Sequence, residues 1–161
     1  MGAAMIRVIA VLIACWIAGQ AQALSCMRPT VQGTYLDADG RAETYVLALG
    51  RLTPVPGQTR PAEPANPNDR VPYSLMTRFD GALATSDGFT RTARFDVRVD
   101  VGCAGPWCGG VPTSKHLFFL KRDGATHSFE SGPCPWFAFE PTVENRADAL
   151  ACLNGGMCRR P

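Results

Sequence analysis

Residues 103–134 read CAGPWCGGVPTSKHLFFLKRDGATHSFESGPC, a segment that begins and ends on cysteine with a hairpin between. Leu117 to Leu120 form an uninterrupted apolar run, Asp123-Gly124 is a strong two-residue turn signal, and residues 125–130 return toward Gly132-Pro133-Cys134. That turn sets Phe118 opposite Phe129 and Leu120 opposite His127. His116 then shares a face with His127, but at about 3.3 Å per residue the imidazoles stand roughly 13 Å apart, too far to hold one metal ion. Both read as ordinary strand histidines.

N-terminal to this segment, residues 94–101 alternate strictly. Phe95, Val97, Val99 and Val101 take one face, while Arg94, Asp96, Arg98 and Asp100 take the other. This is a strand with one buried face and a charge-alternating face in water. Residues 73–83 precede it with Tyr73, Leu75, Phe79 and Leu83 in one parity, and Ser86-Asp87-Gly88 supplies a turn. The two form a long antiparallel hairpin, and residues 44–52 give another strand. Between them, residues 53–72 carry prolines at 54, 56, 61, 64, 67 and 72, which sustain neither ladder nor helix and make an extended surface loop. Near the C-terminus, Thr142 or Asn145 caps a short helix in which Val143, Ala147, Leu150 and Ala151 recur at helical spacing, with Gly155 as its left-handed C-cap.

The chain opens as a secretory leader over residues 1–23. Arg7 is its basic n-region, residues 8–18 its apolar stretch, and Ala21-Gln22-Ala23 its small-x-small cleavage site. Leu12-Ile13-Ala14-Cys15 resembles a lipidation box, but cutting there strands apolar Trp16-Ile17-Ala18 at the new terminus; the reading is a secreted or periplasmic product starting at Leu24. No stable membrane span follows the leader. Residues 24–161 make a single domain. Losing Arg7 lowers the formal charge from +2 to +1, and the remaining arginines are scattered. This is not the footprint of a nucleic-acid partner.

Cys26, Cys103, Cys108, Cys134, Cys152 and Cys158 remain, an even set that in an exported chain reads as a disulfide framework without a free thiol. A zinc site would want paired cysteines at ligand spacing with further cysteines or histidines, so no metal is expected. Cys103–Cys108 would close a small loop worth roughly 2 kcal/mol and Cys26–Cys108 a large one worth roughly 4.5; both stay open. Cys152 and Cys158 staple the helix end to itself or to the sheet.

A cysteine soon after the leader, a strand-rich body, Cys108-Gly109, the LFFLKRDGATHSF hairpin, Gly132-Pro133-Cys134 and a cysteine-bearing helix together resemble the netrin-like module, the family of the N-terminal domains of tissue inhibitors of metalloproteinases. The resemblance implies a mainly β, five-stranded OB-type barrel with terminal helices. It also implies a Cys26–Cys108 bridge, a second contact through Cys134, and a protein partner such as a protease. Two departures stand out. Leu24 and Ser25 precede Cys26, and Arg28 occupies the place of the family's second cysteine, so chelation of a protease zinc by an amino-terminal cysteine is not expected.

Other function classes find little support. The sequence has no GxSxG, HExxH or phosphate-cradling loop, hence no expected catalytic residue or cofactor. Asp37 and Asp39 read as turn residues beside Gly40. Trp107 and Trp136 each lie within two residues of a cysteine and directly after a proline; they pack on disulfides or form a protein-contact ridge. The expected function is non-enzymatic binding of another protein through Cys26, the Gly105-Pro106-Trp107 turn and Trp136, with the turn tied in through Cys108. The alternatives are an envelope structural protein and an uncharacterised hydrolase.

Overall fold

The computed structural model describes residues 25–160, so the leader, its cleavage site and Cys15 lie outside the described residues. The elements run α1 (Val31–Asp39), β1 (Thr44–Pro54), a 3-10 turn (Pro67–Asp69), β2 (Tyr73–Thr85), β3 (Gly88–Val101), β4 (Cys103–Ala104), β5 (Trp107–Cys108), β6 (His116–Asp123), β7 (Thr126–Ser131), β8 (Ala138–Phe139) and α2 (Val143–Leu153). Strands β1-β2-β3-β7-β6 pair in that order, and β6 returns to β1, closing a five-stranded barrel. The β3–β7 contact is parallel and the others are antiparallel, the OB-type arrangement.

The β2–β3 hairpin forms as its alternation predicts. Leu75, Phe79, Val97, Val99 and Val101 are buried in the barrel, and Thr77, the polar member of the set, donates its hydroxyl to the Val97 carbonyl at 2.9 Å. On the outer face Arg78 pairs with Asp96, Arg94 with Asp80, and Arg98 with Asp100. These exposed pairs contribute about 0–1 kcal/mol each, so the apolar face carries the stability. In β1 and β6 both faces are buried, which explains their unbroken apolar runs. Ala48, Leu52, Phe118 and Leu120 point into the barrel, while Leu47, Leu49, Leu117 and Phe119 lie under the helices and the 137–139 segment.

Several expectations change. In the β6–β7 hairpin Asp123 pairs with Thr126 and Arg122 with His127, so the turn is Gly124-Ala125 rather than Asp123-Gly124. The cause is Gly124 at φ 58°: a two-residue type II′ turn needs its glycine at the first central place. Phe118 is therefore not directly opposite Phe129, although their rings still meet edge-on at 5.4 Å. Asp37 and Asp39 belong to helix α1 rather than to a turn; Thr30 caps this helix by accepting from the Gly33 amide at 3.1 Å. In α2, Thr142 is the N-cap and Gly155 has the left-handed φ of 71°, but the buried face is Ala149 and Cys152. Val143, Ala147 and Ala151 face solvent. Small residues on the inner face let α2 lie close against α1, where Gln32 Nε2 donates to Asp148 at 3.0 Å.

The disulfides pair Cys26 with Cys134, Cys103 with Cys108, and Cys152 with Cys158. The bridge from Cys26 to Cys108 implied by the family resemblance does not form. Cys103 and Cys108 face each other across the β4–β5 ladder with Cα atoms 4.0 Å apart, so they close on one another and leave Cys134 for the N-terminal segment. The Cys152–Cys158 bridge joins the end of α2 to its own tail.

Candidate functional site

The connections of the barrel are unequal. At one end, β2 turns into β3 and β6 into β7 through tight hairpins. The other end carries residues 55–72 after β1, residues 102–115 after β3, and residues 132–137 after β7. The N-terminal segment joins that end through Cys26–Cys134. Cys26, Gly105, Pro106, Trp107 and Trp136, named from the sequence, all lie in these connections. The covalent tie of the N-terminus leads to Trp136, however, and not to the Gly105-Pro106-Trp107 turn.

Trp136 is held from several sides. Its backbone N–H donates to the Cys134 carbonyl at 2.9 Å, and its carbonyl accepts from the buried Thr34 hydroxyl of α1 at 3.0 Å. The next residue, Phe137, is buried, stacks on Tyr45 at 5.5 Å, and lies 4.9 Å from the Arg41 guanidinium. With Phe137 fixed inward, Trp136 is turned outward, 38% exposed. It does not simply pack away against the disulfide.

Trp107, 40% exposed, stands on the β4–β5 ladder with Gly105 at φ 56° in its turn. The Pro-rich loop is built onto this turn, because Arg70 Nη1 donates to the Pro106 carbonyl at 2.6 Å and Nε to Glu63 at 3.0 Å. Gln58 fastens the loop's start to the Met76 backbone of β2. Extended chain made rigid by proline thus serves as a wall for the turn.

Gly109, which follows Cys108, sits where no side chain fits. A Cβ there would strike the Ser131 carbonyl and come within 2.7 Å of the Gly132 oxygen. The bare backbone lets residues 109–110 run across the end of β7, where the Gly110 N–H donates to Ser131 Oγ at 3.0 Å.

An open cleft of about 730 Å³ lies between α1 and the outer face of β3 and β7, with Trp136 and Tyr73 among its walls. Asp37, Asp100 and Glu130 bring carboxylates to it and Arg41 a guanidinium. Asp100 accepts from Ser74 Oγ at 2.6 Å, and Glu130 pairs with Arg41 at 3.6 Å. Tyr73 also lines a smaller cleft with Arg70, Val71 and Cys108. Nothing in the sequence spacing marked Asp37, Tyr73, Asp100 and Glu130 as neighbours; α1, the β3–β7 pairing and the 132–137 segment bring them together.

The histidines sit elsewhere. His116 Nδ1 lies 3.0 Å from the Ser114 carbonyl. His127 stacks on Phe95 at 4.0 Å, and its Nδ1 is buried without a hydrogen-bond partner among the described residues. No described group of His, Cys, Asp and Glu could hold a metal ion. Burial, and secondarily the Arg122 charge, pushes the His127 imidazole below its usual pKa. Unfolding restores the ordinary affinity for the proton, so this contribution to stability is complete above the unfolded value near 6.5 and falls as pH drops through it. Urea titrations of His127→Phe should therefore show a flatter stability curve than wild type between about pH 7 and 5. An unchanged slope would place the acid sensitivity elsewhere.

No protein-family model, curated protein or solved structure matches this chain.

Proposed function

We propose that the chain is an exported, non-enzymatic module that binds another protein through the loop-bearing end of its barrel. One observation carries this reading: every long connection and the disulfide-tied N-terminus converge on one end, and both half-exposed tryptophans project there from rigid settings. Aromatic anchors on a preorganised backbone are the usual energetic centre of a protein interface, because little conformational freedom is lost on contact. A role as a protease inhibitor, of the kind implied by the resemblance to netrin-like modules, belongs to the same reading. It would use the Cys26 segment and Trp136, now joined by one bridge, with Trp107 on the adjacent surface.

The test compares the immobilised domain with its Trp107→Ala/Trp136→Ala double variant, using the extracytoplasmic fraction of the producing cells. A bound protein retained at least roughly thirtyfold better by wild type supports the reading, since two anchors of on the order of 1–2 kcal/mol each sum to about 2–4 kcal/mol. Equal retention by both, or a hydrolytic activity abolished by His116→Ala, would overturn it.

A further inference from the structure

The N-terminal segment and the C-terminal tail meet at the start of α1. Two disulfides direct them there: Cys26–Cys134 brings residues 26–29 beside Trp136, and Cys152–Cys158 turns the tail back, so that the Arg159 backbone donates to Gln32 Oε1 at 3.0 Å. Between them runs a groove of about 270 Å³, lined by Met27, Arg28, Pro29, Trp136, Arg160 and Asp37 among others. Met27, 77% exposed, lies along this groove with the half-exposed Trp136. Thr34, Asp37 and Trp136 line both this groove and the larger cleft, so the surface is continuous across the indole.

Charge separates the two halves of that surface. The described residues of the larger cleft carry three carboxylates and one guanidinium. The groove reverses this: Arg28 and Arg160 line it, and its one carboxylate, Asp37, is already paired with Arg160 at 2.6 Å, while Arg159, next to Arg160 in the chain, stands outside the lining with its guanidinium on Met157 Sδ at 3.2 Å. Arg28 and Arg159 are both exposed. The sequence scatters these arginines over 132 positions, from Arg28 to Arg160, and the bridges gather them.

Resting on the protein-binding reading above, we infer that this groove receives an extended acidic segment of the partner, with an apolar or aromatic side chain against Met27 and Trp136 and carboxylates toward Arg28 and Arg159. The charge in the groove selects an acidic occupant. Its concavity suits a peptide strand with one or two side chains seated, where a lipid surface would require a protruding apolar face.

The probes are a fluorescent Glu–Tyr copolymer peptide, its Lys–Tyr counterpart, and phosphatidylglycerol vesicles, titrated against the full domain by anisotropy and co-sedimentation. The Glu–Tyr peptide should bind roughly tenfold more tightly than the Lys–Tyr peptide, and Arg28→Glu/Arg159→Glu should remove that preference. Both positions are exposed, so the variant should fold, and an unchanged far-ultraviolet dichroism spectrum verifies this. Equal binding of the two peptides, a preference that survives the charge reversal, or binding to the vesicles alone overturns the inference. If the acidic preference fails while capture of a protein partner still depends on Trp136, only this inference falls and the protein-binding reading stands.

Discussion

Replacing Cys26 and Cys134 together with serine lowers the unfolding free energy by about 4–5 kcal/mol, whereas the same change at Cys103 and Cys108 costs about 2 kcal/mol. The contrast follows from loop length. The first bridge spans a sequence separation of 108 and the second only 5, and the entropy that a crosslink removes from the unfolded chain grows with the logarithm of the closed loop. Urea denaturation of the two double variants checks this through the midpoint, provided the m-value is compared as well, because loss of a long-range crosslink also expands the unfolded ensemble. Equal losses for the two bridges would sink the loop-entropy account. The first variant should also lose binding at Trp136 beyond its loss of stability. Cys134 is the point from which the 134–139 segment is held, and the N–H of Trp136 is bonded to its carbonyl.

Phe79→Ala has an effect of similar size, about 3–5 kcal/mol. The ring is fully buried, stacks on Phe95 at 5.0 Å, and lies over the pair Gly50 and Gly81, which face each other across β1 and β2. A Cβ at Gly50 would fall 2.7 Å from the ring, and one at Gly81 2.8 Å from it. The two glycines thus form the seat that lets a phenylalanine fill the barrel. Truncating the ring leaves a cavity that the closed ladder cannot collapse to fill. The complementary change, Gly81→Ala, should destabilise by about 1–3 kcal/mol, and Phe79→Leu should not rescue it fully. The new methyl would also strike the Leu49 carbonyl, which is backbone and cannot move aside without opening the ladder. Full rescue in the double variant would show that the ring alone sets the glycine requirement.

Much of the barrel was legible because its information is local. The β2–β3 hairpin announces itself through the alternation in residues 94–101 and its turn, both readable within a few residues. Helix α1 was not legible. Its sequence, VQGTYLDAD, contains a glycine and two β-branched residues; Thr30 caps it, and its inner face, Val31, Thr34 and Ala38 at i, i+3 and i+7, is made of small or polar side chains that give a weak apolar signal. The buried face of α2 is likewise not evident from spacing. The periodic count picks Val143, Ala147, Leu150 and Ala151, whereas the face turned to α1 is the one that carries Ala149 and Cys152, and only the packing of the two helices selects it.

The same division runs through the candidate site. The sequence named Cys26, the Gly105-Pro106-Trp107 turn and Trp136 from the chemistry of exposed aromatics near cysteines, but it had no means of relating them. Nor could it place Tyr73, Asp100 and Glu130 in one cleft, because Asp100 and Glu130 become neighbours only through the parallel β3–β7 pairing.

By itself, the sequence determined the strand periodicity, the two hairpins and the positions of the six cysteines from Cys26 onward, since each depends on spacing along the chain and on side-chain chemistry. Only the tertiary structure decided which cysteines meet, where the N-terminus is tied and which charges share a groove. Those outcomes depend on barrel closure, which brings residues about a hundred positions apart into contact and which no short-range pattern encodes.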